Sequence, residues 1–157
     1  MIKVSFETYT PAMAWNIEVA AVRTADLIDA VPDVFGPAGT TMGFEDATSG
    51  RRYGDLCVAK VGDWVIVIDV ACRLSGNHDY LAAASASTDL HLVRIADQPI
   101  ALHYRGGQLM TEMRGGEMLP DEDHDGESVA MDHLQENTGL SLDEDLWGAK
   151  FTLFVLD

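Results

Sequence analysis

The chain has 157 residues, a formal net charge of −16 at pH 7, and 47% hydrophobic residues. This length and composition predict one domain over residues 1–157 with an ordinary apolar core, and the order of its elements, given below, makes it α+β. No apolar run reaches the roughly 18–20 residues of a membrane span, and a field this negative repels nucleic acid and anionic membranes.

The N-terminal stretch IKVSFET, residues 2–8, alternates apolar and polar side chains, which predicts a half-buried strand. It lacks the apolar run and small-residue cleavage site of a secretory leader, so we expect a cytosolic protein. A second strand is predicted in AWNIEVAAVR. Thr24 is then a good N-cap for a helix over ADLIDAV, which Pro32 ends or bends.

Residues 36–55 are rich in Gly, Thr and Ser and predict a long loop with one short element around Phe44. Long loops inside compact domains are often functional, so this segment is a candidate surface, and a pocket beside it would suit a small ligand. Arg51 and Arg52 give it the only adjacent pair of bases in the chain.

The stretch LCVAKVGDWVIVIDVAC, residues 56–72, predicts a hairpin that turns at its Gly-Asp pair. Its second run, residues 64–70, is apolar on both faces and predicts a central strand covered on both sides. Counting back from the turn places Cys57 opposite Ile68 rather than Cys72. This register favours two free thiols over a disulfide.

A short helix capped by Asn77 and three strands follow, with a Gly-Gly pair at 106–107 as a tight turn between the last two strands. The strand PIALHYRG places its apolar residues on one face and leaves His103 and Arg105 on the other. That second face is either ordinary sheet exterior or an anion site.

The chain ends with an amphipathic helix that stops at Gly139, a helical turn capped by Ser141, and a strand in AKFTLFVL. Consecutive strands joined by short turns predict a mainly antiparallel, twisted sheet with three or four short helices packed on it.

Several of these stretches together resemble a family of actinobacterial α+β proteins of unknown function. They are WNIEVAAVRTADLIDAV, VGDWVIVIDV, LHLVRIADQPIALHYRGGQLMTEM and HLQENTGLSL, and they span roughly residues 13–142. VACRLSGN stands where the family has an asparagine-and-glycine turn. The resemblance implies this fold and carries over no site residue. Proteins of this size and type are often immunity proteins or toxin inhibitors.

Acidic residues concentrate in the C-terminal third of the chain. From Gly115 to Ala149 there are eleven acids and no Lys or Arg, against fifteen acids and ten bases elsewhere. The acidic segment 117–145 is either a solvated face or a surface that attracts cations or a basic protein. The partner-binding residues that it predicts are Glu117, Asp121, Glu122, Asp123, Asp125, Glu127 and Asp132.

The stretch PDEDHDGESVAMD, residues 120–132, matches part of a calcium loop. The metal ligands of such a loop would be Asp121, Asp123, Asp125 and Asp132 at positions 1, 3, 5 and 12, with Gly126 at position 6. Position 12 is one methylene shorter than the usual Glu, and no helix enters the loop. The alternative is an acidic lead-in whose Asp125 caps the following helix, so we expect no cofactor.

Sequence motifs for catalysis are missing from the chain. It contains no G-x-S-x-G, no phosphate-binding glycine loop and no zinc-protease spacing of histidines. His124 and His133 flank the last helix start, where with Asp121 or Asp125 they suit a transition metal, or they are ordinary exposed polar residues. We therefore do not expect an enzyme.

The sequence predicts a non-enzymatic acidic interaction protein of the bacterial cytosol, of immunity or inhibitor type. Its expected partner is a basic toxin, nuclease or nucleic-acid-binding protein, selected by charge complementarity. Mimicry of nucleic acid is a variant of this hypothesis. The alternative is a small-molecule or calcium-binding domain, which for a small ligand requires a closed, partly apolar pocket.

Overall fold

An antiparallel sheet of eight strands organises the computed structural model, which describes residues 16–119 and 125–156. The strands are β1 (Ile17–Val22), β2 (Phe35–Met42), β3 (Leu56–Val61), β4 (Trp64–Asp69), β5 (Asp89–Ile95), β6 (Ile100–Arg105), β7 (Gln108–Arg114) and β8 (Phe151–Leu156). Their order across the sheet is β2-β8-β3-β4-β1-β5-β6-β7. The predicted α+β class with a mainly antiparallel sheet is confirmed. The strand predicted over 2–8 lies outside the described residues.

Helices and helical turns connect and cover these strands. The α-helices are α1 (Phe44–Ala47), α2 (His78–Ala84) and α3 (Gly126–Thr138), and the other helical turns used below are Leu27–Ala30 and Leu142–Leu146. The predicted caps are confirmed: the Asn77 side chain accepts from the Tyr80 amide, Gly139 ends α3 at φ 77°, and the Ser141 side chain accepts from the Glu144 amide. No helix of the described ranges is long and apolar enough to cross a membrane.

The sheet separates two apolar cores, because successive side chains of a strand point to opposite faces. On one face, α3 packs Ala130 and Leu134 against the sheet. On the other face, α2 contributes Tyr80 and Leu81. All six residues of β4 are buried, since this strand lies near the middle of the sheet and is covered on both faces, as predicted.

The β3–β4 hairpin has the predicted register. Cys57 lies opposite Ile68, and Gly62 takes φ 60° in the turn. Cys57 and Cys72 are free thiols, as expected. Burial raises the pKa of Cys57 to about 12 and that of Cys72 to about 11, so both stay protonated and weakly nucleophilic at neutral pH.

The prediction of a long loop over 36–55 is wrong. Most of its first half belongs to β2, an edge strand that pairs with β8, while the expected short element around Phe44 is α1. β2 lacks an apolar alternation because five of its eight residues are exposed, so burial does not select apolar side chains there.

The predicted helix over ADLIDAV is much shorter than expected. Only the Leu27–Ala30 turn is helical, and its N-cap is Asp26 rather than Thr24. The Asp26 side chain makes no capping hydrogen bond, and Pro32 follows two residues after the turn. The first turn of a helix is unfavourable by itself, so a stable helix needs further turns. The stretch between Asp26 and Pro32 is too short for them.

The two edge strands of the described sheet differ. In β2, Pro37 has no amide hydrogen to donate, and the pairing with β8 shifts register between Pro37 and Thr41. β7 has seven residues and no proline, and its Leu109 and Met110 side chains are exposed. The β6–β7 pairing also shifts register, between His103 and Tyr104, so both edges of the described sheet are irregular.

Candidate functional site

The structure describes part of the predicted partner-binding set. Asp121, Glu122 and Asp123 lie outside the described residues. Of the rest, Glu117, Asp125 and Asp132 are exposed and Glu127 is half-buried.

Two of these acids are engaged with the local backbone. The Glu117 carboxylate accepts the Arg114 amide at 3.1 Å. The Asp125 carboxylate accepts the Glu127 amide at 3.1 Å and the Ser128 hydroxyl at 3.1 Å. The prediction that Asp125 caps the following helix is confirmed.

Positions 6–12 of the calcium-loop alternative are all helical, because α3 begins at Gly126. Asp132 follows Asp125 by seven residues, a rise of about 10 Å along a helix, so the two carboxylates do not share an ion. No group of three or more His, Cys, Asp or Glu suited to a metal occurs in the described ranges. Calcium stays a prediction that rests on Asp121 and Asp123.

Gly126 has a different role from the sharp turn of a calcium loop. A Cβ atom at this position would lie 2.3 Å from the Asp97 carbonyl oxygen and 2.5 Å from that of Ala96. The start of α3 therefore packs directly on the backbone of the β5–β6 turn, and only glycine allows that approach.

Exposed acids remain on α3 and on the turn after it. We call this set the C-terminal acidic face; it consists of the exposed residues Asp125, Asp132, Glu136, Asp143 and Glu144. Asp132 and Asp143 line one groove of about 200 Å³ between α3 and the following turn. Asp132 and Glu136 are four residues apart, so two like charges neighbour each other on one helix face.

Most arginines of the described chain are held by carboxylates of the same molecule. The ion pairs are Arg23 with Asp63, Arg52 with Asp46, Arg73 with Asp69, Arg94 with Glu18, Arg105 with Asp89, and Arg114 with Glu112. No residue of the C-terminal acidic face takes part in these pairs. Its negative charge is therefore not neutralised within the described part of the molecule.

Two fully buried carboxylates face each other across β1 and β4. Glu18 lies opposite Asp69, and its Oε2 atom is 2.8 Å from Nη2 of Arg94. The Ser75 amide donates to Glu18 Oε1 at 2.8 Å, and Arg73 donates to Asp69 from both backbone and side chain. These hydrogen bonds fix the β4–α2 connection on the sheet, so this pair is structural rather than a cleft acid and base.

The face of β6 that carries His103 and Arg105 is not ordinary sheet exterior. Both side chains bond to the Asp89 carboxylate, at 2.9 Å from His103 Nε2 and 2.7 Å from Arg105 Nε. The His103 ring stacks on His91 at 4.2 Å, and the rings of Trp64 and His91 meet edge to face. An internal carboxylate thus occupies the place that an anion would take.

The titration of this cluster follows from its surroundings. Burial lowers the pKa of His91 to about 4, and positive charge on His103 and His133 acts in the same direction. Hydrogen bonds from Arg105 and His103 lower the pKa of Asp89. His91 is therefore neutral and Asp89 ionised at neutral pH.

Sequence reasoning missed a second acidic region around the Leu27–Ala30 turn. Two open clefts of about 420 and 470 Å³ flank this turn, and both are lined by Ile28 and Asp29. The acids at every third or fourth position of DLIDAVPD indicate this region, but the same stretch also predicts a helix, which hides the signal. The exposure of Ile28 depends on tertiary packing and cannot be inferred from the sequence.

We compared the chain with family models, curated proteins and solved structures, and none of them matches it. The resemblance to the actinobacterial family stays a prediction, and function rests on the geometry above.

Proposed function

We propose that this chain is a non-enzymatic interaction protein of the bacterial cytosol that binds a basic protein partner through the acidic segment 117–145. The observation that carries the proposal is the C-terminal acidic face, whose exposed carboxylates have no Lys or Arg among them. Unpaired charge of one sign steers a partner of the opposite sign and rejects partners of its own sign.

The like-charged pair on α3 adds support. The repulsion between Asp132 and Glu136 destabilises the helix by roughly 0.2–0.5 kcal/mol. A Lys or Arg at either position would stabilise the exposed helix face instead. Keeping both acids is a local cost that a basic partner would offset on binding.

The partner we propose is a toxin, nuclease or nucleic-acid-binding protein with a basic cleft, which makes this chain an immunity or inhibitor type. Its titratable clusters favour binding over catalysis. Glu18 and Asp69 are saturated by internal hydrogen bonds, and His91 packs between Trp64 and His103. The clefts of the described surface are open, which suits a protein partner better than a small molecule.

The test is affinity capture of tagged protein from a bacterial lysate, with elution by a salt gradient and identification by mass spectrometry. The first variant combines Asp132→Lys, Glu136→Lys and Asp143→Lys. Its matched control makes the same change of charge at the exposed residues Glu45, Asp63 and Glu112, none of which belongs to that face. Circular dichroism verifies that both variants fold.

We expect one basic protein to bind the unaltered chain and the control, and to bind the first variant about tenfold or more weakly, since like charges then meet at the interface. Equal capture by all three proteins would contradict the placement of the interface. Capture of no basic protein by the unaltered chain would contradict the function itself.

A further inference from the structure

The Leu27–Ala30 turn forms a ridge between two clefts on the face of the sheet opposite α3. The first cleft, of about 420 Å³, lies between the ridge and α2. The second, of about 470 Å³, lies between the ridge and the β2–β8 pair, where Pro37 and Phe154 line it. We call the ridge and its two clefts the acid-rimmed groove.

The groove has a fixed apolar floor and exposed apolar walls. Val31 and Tyr80 form part of the floor and are 7% and 5% exposed. The Tyr80 hydroxyl donates to the Ala30 carbonyl at 2.6 Å, which ties the ridge to α2. Ile28 and Val34 are 64% and 58% exposed, so the groove offers apolar surface that is already in place.

Four carboxylates surround this apolar surface. Asp26, Asp29, Asp33 and Asp79 line the two clefts and are exposed, and none of them forms an ion pair within residues 16–119 and 125–156. Neither cleft is lined by Lys or Arg. The base in the adjoining cleft, Arg23, is already directed to Asp63. The groove therefore complements positive charge arranged around an apolar side chain.

We propose that the acid-rimmed groove docks a basic amphipathic segment of a partner protein. An apolar side chain of that segment packs beside Ile28 and Val34, and its Lys or Arg residues meet Asp29, Asp33 and Asp79. This arrangement has the apolar centre and polar rim of a protein interface. Helix-in-groove recognition uses the same combination of apolar anchors and flanking charge.

The proposal goes beyond the function proposed above, because the groove and the C-terminal acidic face lie on opposite faces of the sheet. The floor residue Tyr80 belongs to one core, and Leu134 of α3 belongs to the other. Loss of binding at one surface therefore leaves the other intact. The chain then has two docking surfaces, each for a basic partner.

A synthetic peptide of about 14 residues, roughly four helical turns, is the probe. It contains Leu at helical spacing and Lys elsewhere, and it carries a fluorescent label. One control peptide has Glu in place of Lys, and another has Ser in place of Leu. Anisotropy gives the affinity, and amide shifts of the isotope-labelled protein locate the site.

The groove variant is Ile28→Ser with Val34→Ser. Both side chains are exposed, so neither change opens a hole in the core. The matched control is Leu109→Ser with Met110→Ser on β7, where the side chains are 41% and 52% exposed.

We expect the Leu-Lys peptide to shift amides of residues 27–34 and 77–84. The groove variant should weaken its binding about tenfold, while the β7 control and the Asp132→Lys, Glu136→Lys, Asp143→Lys variant bind as the unaltered chain does. Equal affinity for the Ser-Lys peptide would overturn the proposal, because binding would then need no apolar anchor. Shifts confined to α3, or no binding, would overturn it as well.

Discussion

His91 on β5 and His103 on β6 stack face to face, with ring centroids 4.2 Å apart and ring planes at 12°. They are directly opposed in the β5–β6 register. Only one of the two rings reaches a carboxylate, since His103 bonds to Asp89 at 2.9 Å. The buried ring of His91 lies beside an aromatic side chain and near cationic groups, and these surroundings lower its pKa.

We predict that His91 makes the protein less stable in weak acid. Its pKa falls from 6.5 to about 4 in the fold, so the unfolded chain binds the proton first. Stability is therefore fully present above pH 6.5 and decreases as pH falls towards 4, by about 3 kcal/mol. Urea unfolding of the unaltered chain at pH 7, 5.5 and 4.5 measures this loss.

A His91→Gln variant separates this effect from that of other groups. It should lose less stability than the unaltered chain over the same interval, because glutamine does not titrate. Asp89 acts in a lower range: its pKa is depressed, so its stabilisation disappears only as pH falls below its ordinary value of 3.8. The same pH dependence in both proteins would contradict the assignment to His91.

We predict that Glu18→Ala lowers the free energy of unfolding by about 3–5 kcal/mol. The change removes the carboxylate that binds Arg94 and leaves the Ser75 amide without its acceptor in a buried place. Chemical denaturation measures the loss, and Glu18→Gln serves as a milder variant if the first does not fold. Glu112→Ala, at an exposed pair with Arg114, should cost less than about 1 kcal/mol. Similar losses at both sites would show that burial does not strengthen the Glu18 pair.

We predict that Gly126→Ala destabilises the protein by about 2–3 kcal/mol, through overpacking against the Asp97 and Ala96 carbonyls. Helix propensity alone predicts the opposite sign, since alanine is favoured over glycine by about 1 kcal/mol. Gly116→Ala is the control, because no atom lies within 4 Å of a Cβ there. Thermal and urea unfolding check both variants. A more stable Gly126→Ala protein would mean that α3 can move away from the β5–β6 turn at little cost.

The parts of the fold that the sequence predicted well are those with local signals. The β3–β4 register follows from a turn at Gly62 between two apolar runs, and both ends of α3 follow from Asp125 and Gly139. Each of these signals involves residues close along the chain. They determine local geometry whatever packs on top.

The missed features depend on contacts between distant segments. β2 is a strand because β8 pairs with it, and its own composition of Gly, Pro, Ala and Thr favours a loop. The exposure of Ile28 and Val34 likewise depends on how α2 and β8 pack beside the Leu27–Ala30 turn. Glu18 is an acid within an apolar run, which is a signal of a buried ion pair. Its partner Arg94, however, is 76 residues away in the sequence.

The unequal edges of the sheet limit how copies of this chain could associate through their backbones. Pro37 and a register shift interrupt β2, and a second register shift interrupts β7, so neither edge of the described sheet is a regular template for an added strand. Pairing of two copies along β7 would have to accommodate the extra residue of that strand at Met110. Irregular edges of this kind disfavour the growth of a continuous intermolecular sheet.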